Sequence, residues 1–186
     1  MSLQDAILNR RSIKRFTGGE VTRAQIEALV HAAVHAPNHK LTQPWRFYVL
    51  GPTARRAYGV ALGNRKAKKA ADAAAAREVV EKTAEEHVAL PAMLAVAMKL
   101  SDNPEVREED FAATFMAIEN LALTAHGMGL GTHIKTGAVL EDPAARAAVG
   151  VADGERIVAT IHLGVPAEQP PLRPRLEVAQ VTIWVP

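Results

Sequence analysis

Ala36-Pro37-Asn38-His39-Lys40-Leu41-Thr42-Gln43-Pro44-Trp45 joins a helix-like segment to a strand-like one. Each proline fixes its own φ, removes a donor and pushes the preceding residue toward extended geometry. A loop stiffened in this way presents its imidazole, ammonium and amide tips from a fixed backbone. Rigid loops on a packed scaffold are where binding residues gather. The alternative is an ordinary helix-to-strand connector whose polar groups are merely solvated.

Upstream of the loop, Thr22 and Gln25 make a capping-box signature, and Ile26, Leu29, Val30 and Ala33 recur at helical spacing. Residues 23–35 are therefore predicted to be helical, ending before Pro37. Gly18-Gly19 separates this helix from Arg10-Arg11-Ser12-Ile13-Lys14-Arg15-Phe16, a basic segment with one hydroxyl. A short helix is predicted over residues 2–10, capped by Ser2, with Asp5 in its first turn and Leu3, Ile7 and Leu8 as an apolar stripe.

Downstream, Trp45-Arg46-Phe47-Tyr48-Val49-Leu50 reads as a strand ended by Gly51-Pro52. A short helix is expected over 53–62. Residues 65–87 are Ala-rich with alternating charge and few large apolar residues, so a surface helix and candidate lid is expected there. Its basic run Arg65-Lys66-Ala67-Lys68-Lys69 reads as a solvated face rather than a nucleic-acid site. The continuous apolar run from Met93 to Leu100 predicts a buried strand. Phe111, Phe115, Ile118, Leu121, Ala122 and Ala125 predict a long buried helix over 105–127, in which Glu119 and Asn120 need partners. Gly127-Met128-Gly129-Leu130-Gly131 ends it; this is not G-x-G-x-x-G, and it follows a helix rather than a strand, which argues against a Rossmann site. A helix over 141–149 with Pro143 in its first turn and a strand over 156–163 follow. After a Pro-rich tail, Val181-Thr182-Ile183-Trp184-Val185-Pro186 is strand-like, and its apolar character predicts that it completes a sheet in this subunit or in a partner. The order α, α, β, α, α, β, α, α, β, β predicts a mixed α/β or α+β layer fold with helices flanking one sheet.

The 186 residues suit one domain spanning 1–186, and 48% hydrophobic with 23% charged residues supports a packed core. A formal net charge of +2 offers no strong field for nucleic acid or acidic membranes. No cysteine is present, which excludes disulfides and thiol chemistry. The first residues carry no signal pattern, and no apolar run approaches the ~18 residues of a bilayer span, so a soluble cytoplasmic protein is the expectation.

Two segments are candidate phosphate cradles. Arg10–Arg15 offers guanidiniums and Ser12. The glycine-rich turn leads into Thr132-His133-Ile134-Lys135-Thr136-Gly137, with an ammonium, hydroxyls and backbone donors. The alternative for each is a solvated basic loop. The seven histidines show no metal-ligand spacing, Ser12 lacks a nucleophile elbow, and no carboxylate pair suits glycosidic chemistry. No side chain is assigned a catalytic role and no metal is expected; polar anchors without an acid–base set point to a cofactor that does the chemistry.

These three motifs, in this order over nearly the whole chain, resemble the nitroreductase family of flavoenzymes, and the short length, His39-Lys40 and Lys135-Thr136-Gly137 resemble its small YdjA-like members. The resemblance implies a three-layer α+β fold: a central, mainly antiparallel sheet flanked by helices, with the C-terminal extension exchanged in a homodimer. It implies FMN at the subunit interface, reduced by NADH or NADPH, and hydride passed through flavin N5 to nitroaromatic, quinone or enone acceptors. By position, Arg10, Arg11 and Ser12 would hold the ribityl phosphate and Lys14 the pyrimidine edge. His35 and His39 match loop positions that touch flavin, His39 from the partner subunit; Gln43 matches the amide of that loop. Ile134, Lys135 and Thr136 match the later flavin-contacting segment, although small relatives often carry an aromatic at the first position and arginine at the second. The family also contains specialised oxidases and dehalogenases, and a non-catalytic flavin-binding regulator is the reading from outside the enzymes.

Overall fold

Seven consecutive residues of β2 (Ala92–Lys99) are buried, and its position explains why. In the computed structural model, which describes residues 2–186, β2 lies inside a four-stranded antiparallel sheet of order β1-β2-β4-β3. The others are β1 (Trp45–Val49), β3 (Gly131–Lys135) and β4 (Glu155–Gly164). Leu94, Val96 and Met98 pack toward α2 (Arg23–Ala33) and α5 (Pro104–Gly127), whereas Met93, Ala95 and Ala97 pack toward α3 (Pro52–Ala67) and α6 (Pro143–Val149). A strand covered on both faces needs apolar side chains at every position rather than at alternate ones. This is the expected three-layer α+β arrangement.

A bulge between Val96 and Ala97 pairs them with Ala159 and Ile157 respectively, leaving Val158 as the extra residue. Ile157 consequently packs in one core and Ala159 in the other, although they are two apart on one strand.

Local sequence sets the helix ends. The capping box of Thr22 with Gln25 forms on α2 as expected, and the Ser2 cap of α1 (Leu3–Asn9) closes into a capping box with Asp5. Asn103 caps α5 ahead of Pro104, and Asp142 caps α6 ahead of Pro143. Glu119 and Asn120 find the partners they need: Glu119 pairs with Arg10 at 3.3 Å, and Asn120 Nδ2 donates to the Ala32 carbonyl at 3.3 Å.

The structure corrects or narrows the expectations at four places. The segment 65–87 is not one surface helix: α3 runs through Ala67, and α4 (Ala73–Val88) starts afresh behind its Asp72 cap. α4 is pressed onto α3, because a Cβ at Gly59 or at Gly63 would lie 2.7 Å from the Cα of Ala84 or Val80. Small residues permit this approach, so the helix packs without the large apolar stripe expected of a buried one. β3 forms where a loop was expected; it takes its ladder from β4, with Thr132 opposite Leu163 and Ile134 opposite Ile161. Residues 181–186 join no strand among the described residues; a short α7 (Val178–Val181) precedes them, and Ile183, Trp184 and Val185 are exposed. The α1 stripe is exposed as well: Ala6 is the residue α1 buries, while Leu3, Ile7 and Leu8 face outward.

Candidate functional site

The two candidate phosphate cradles meet at one edge of the sheet. Ser12 bridges Thr132 in parallel, and Ile13 N–H donates to the Thr132 carbonyl at 2.9 Å. The closeness depends on glycine: a Cβ at Gly131 would meet Ile13 Cγ1 at 2.5 Å. Arg10 caps the end of α1, half-buried, with Nε donating to Glu119 Oε1 at 3.3 Å. Arg11 Nη1 donates to the carbonyls of Leu8 and Arg10 at 3.2 and 2.9 Å. Its Nε and His126 Nε2 are buried without partners among the described residues. Both residues line a crevice with Arg10, Thr132 and Asn9, between the N-terminal segment and α5. The unpaired Arg11 Nε–H, a donor beside the Arg10 guanidinium, suits an anion or an ordered water. Ser12 and Lys14 are exposed.

Alternation along β3 splits the second cradle. Ile134 packs against the core under α5, whereas His133 and Lys135 take the other face, His133 opposite His162 and Lys135 opposite Thr160. Lys135 is half-buried, and its ammonium is held below the ordinary lysine range by burial and then by Lys66, with Glu86 opposing. Thr136 is exposed and lines an open cavity of about 400 Å³ with Phe111, Phe115 and Arg156, whose guanidinium sits 5.4 Å over the Phe111 ring.

Behind Lys135 lies a histidine cluster whose members share no spacing signal in the chain. His162 packs edge-on to His87 at 5.4 Å and to His133 at 5.9 Å, and Tyr58 lies 5.7 Å from His87. His87 Nδ1 donates to the Thr83 carbonyl at 2.7 Å, which fixes its tautomer. Burial first, then Lys135 and the neighbouring imidazoles, push His162 down to about 2. His87 is also lowered, mainly by burial; His133 is lowered by burial, then by Lys135 and Lys14. Neutral imidazoles beside ammoniums are the consistent charge state. No group of three metal-ligating residues stands together among the described residues.

The loop around His39 lies elsewhere on the same chain. His39 Nδ1 is 2.9 Å from Glu109 near the start of α5, ten residues from Glu119, which holds Arg10. At 1.5 Å per residue the two anchors are about 15 Å apart along the helix. His35 follows the end of α2, with its ring 4.9 Å edge-on from His31. Gln43 has φ 45°, and its N–H donates to Asn38 Oδ1 at 2.6 Å. One chain thus brings Arg10, Arg11, Ser12 and β3 together and leaves His39 and Gln43 apart from them. Glu109 and Glu119 carry no site signal in the sequence; each pairs with a side chain remote in the chain, His39 and Arg10 respectively.

Comparison with known proteins gives one answer. The model of the Nitroreductase family matches residues 7–165. The chain is 34% identical over 177 residues to the Bacillus subtilis (strain 168) protein named "Putative NAD(P)H nitroreductase YfhC", covering 95% of this chain and 90% of that protein. It is 28% identical over 167 residues to "Putative NAD(P)H nitroreductase YdjA" of Escherichia coli (strain K12), covering 89% of each. The crystal structure of a nitroreductase-like family protein from Bacillus cereus superposes with a TM-score of 0.87 at 26% identity, covering 100% of this chain and 96% of that one.

Proposed function

The chain belongs to the nitroreductase family, and on that premise we propose that it is an FMN-dependent NAD(P)H oxidoreductase, with residues 1–186 acting as one flavin-binding unit. The observation that carries the proposal is the convergence of the Arg10–Lys14 segment on β3 through Ser12 and Thr132. A flavin phosphate carries about two negative charges and needs fixed donors. Arg10 meets that need: Nε is committed to Glu119, and its Nη groups have no hydrogen-bond partner among the described residues. The unpaired Arg11 Nε and the exposed Ser12 hydroxyl add to the donor set. The residues present therefore fit the group.

In this proposal Arg10, Arg11 and Ser12 hold the phosphate, Lys14 takes the pyrimidine edge, Lys135 supplies a further cation from one face of β3, and Ile134 and Thr136 contact the cofactor from the other face of that segment. When bound, the flavin supplies the redox chemistry, accepting hydride from NAD(P)H and passing it to a nitroaromatic, quinone or enone. Lys14 would stabilise the negative charge that reduction places on the pyrimidine. His35 contacts the cofactor from its own chain. His39 and Gln43 contact it from the second copy, which agrees with their distance from Arg10 within one chain.

A homodimer follows from the same proposal. Leu3, Ile7 and Leu8 on α1, and Ile183, Trp184 and Val185 at the C-terminus, are apolar and exposed, Trp184 to 89%. Surfaces of that kind mark association sites, and exchange of the C-terminal segment would cover them. The test is the visible spectrum of the purified protein, followed by denaturation and identification of the released chromophore. Near one FMN per subunit is expected; a colourless protein that takes up no added FMN overturns the proposal.

A further inference from the structure

The loop after α2 is held against the preference of its own residues. Lys40, Leu41 and Gln43 have φ of 58°, 50° and 45°, a region costly for side chains other than glycine. Such backbone persists where its surroundings over-determine it. Two consecutive carboxylates of α5 do this. Asp110, 4% exposed, accepts a hydrogen bond from Thr42 Oγ1. Glu109 accepts from His39 Nδ1, which lies 2.9 Å from each of its carboxylate oxygens.

An ionised carboxylate can only accept, so Nδ1 carries the hydrogen. His39 Nε2 then has no partner among the described residues, on a ring whose side chain is 61% exposed. An exposed pair of this kind adds little to stability, which leaves the fixed direction of the ring as its effect.

We propose that Glu109 is a positioning residue: it grips His39 through Nδ1 and thereby presents Nε2, in one orientation, to the flavin of the second subunit. The inference rests on the cofactor proposal above and deepens it. It separates two jobs on neighbouring residues, Asp110 setting the loop backbone and Glu109 setting the ring.

The experiment is a double-mutant cycle read as the FMN dissociation constant, from flavin fluorescence on dilution of the holoprotein. Glu109→Ala and His39→Ala are each expected to raise the constant about five- to tenfold, the size of one hydrogen bond. The double variant is expected to bind no more weakly than His39→Ala alone, since Glu109 acts only through the ring. Glu109→Gln keeps an oxygen that can accept from Nδ1 and is expected to stay within about twofold of wild type; it also tests the assignment if the alanine variant does not fold. A Glu109→Ala constant within twofold of wild type, losses that multiply in the double variant, or a glutamine variant as weak as His39→Ala would each overturn the inference. A wild-type protein that binds no FMN would instead overturn the cofactor proposal itself.

Discussion

Replacing Gly59 with alanine is expected to destabilise the protein even though it improves a helix. In an exposed helix interior, glycine to alanine gains about 1 kcal/mol. Here the new methyl would sit 2.7 Å from Ala84 Cα, 2.9 Å from the Thr83 carbonyl oxygen and 3.2 Å from His87 Cβ. The two nearest atoms are backbone and cannot rotate away. Ordinary contact starts at 3.4 Å, so α4 must retreat by about 0.7 Å along the whole interface with α3, with the loss of close packing that this entails. Overpacking of this kind costs about 1–3 kcal/mol. Set against the propensity gain of about 1 kcal/mol, a net loss of up to about 2 kcal/mol is expected, and Gly63→Ala should behave alike because Val80 Cα stands at the same distance. Urea unfolding at fixed protein concentration reads it as a lower midpoint with an unchanged m-value. A variant more stable than wild type, showing the full propensity gain, would show that the hairpin yields freely and that the close approach is not a constraint.

Arg10→Ala is expected to weaken FMN retention by about 1.5–3 kcal/mol, the scale of a charge-assisted contact; full flavin after dialysis would sink the phosphate assignment. Glu119→Gln removes the carboxylate that engages Arg10 and should tighten FMN binding, measured by fluorescence; weaker binding would mean that Glu119 orients the guanidinium rather than competing for it. Acid should destabilise the fold through the histidine cluster. His162 sits at about 2 in the folded protein against an ordinary 6.5, so between those values the unfolded chain binds the proton and the native state does not. Its contribution is complete above about pH 6.5 and falls as pH drops, by about 1.4 kcal/mol per unit. His87 and His133 shift in the same direction. Denaturation midpoints should fall from pH 7 to pH 5 and fall less in His162→Gln, and equal slopes would remove the cluster as the cause. Deleting residues 178–186 should shift a dimer toward monomer in light scattering, and an unchanged mass would place the interface elsewhere.

The central elements were legible because their signals are local. The cap at Ser2, the capping box at Thr22, the proline that opens α6 and the apolar run of β2 each declare an element within a few residues. β3 was not legible. Thr132-His133-Ile134-Lys135 is short and half polar, and what makes it a strand is β4, about 25 residues later. The pairing of α3 with α4 was hidden for a related reason: it is written in Gly59, Gly63 and alanines, whose absence of bulk is the packing signal. The basic segment and the glycine-rich turn were each legible as cradles, and their meeting through Ser12 and Thr132 needed the fold. Alternation alone predicts that Ile134 and Lys135 face opposite ways once the strand is known.

The bulge between Val96 and Ala97 also bears on how the protein folds. A regular ladder can slide by two residues without changing which side chains face which layer; a slide of one exchanges the faces. With Val158 as the extra residue, a shift of either size would break the match, bringing His162 or Thr160 into an aliphatic layer or opposing a two-residue arc to a straight partner. The pairing of β2 with β4 closes a loop of about 60 residues and is slow to form. Once formed it has a single register to occupy. With no cysteine to pin the sheet covalently, the bulge is the device that makes the late, long-range step of folding irreversible to creep.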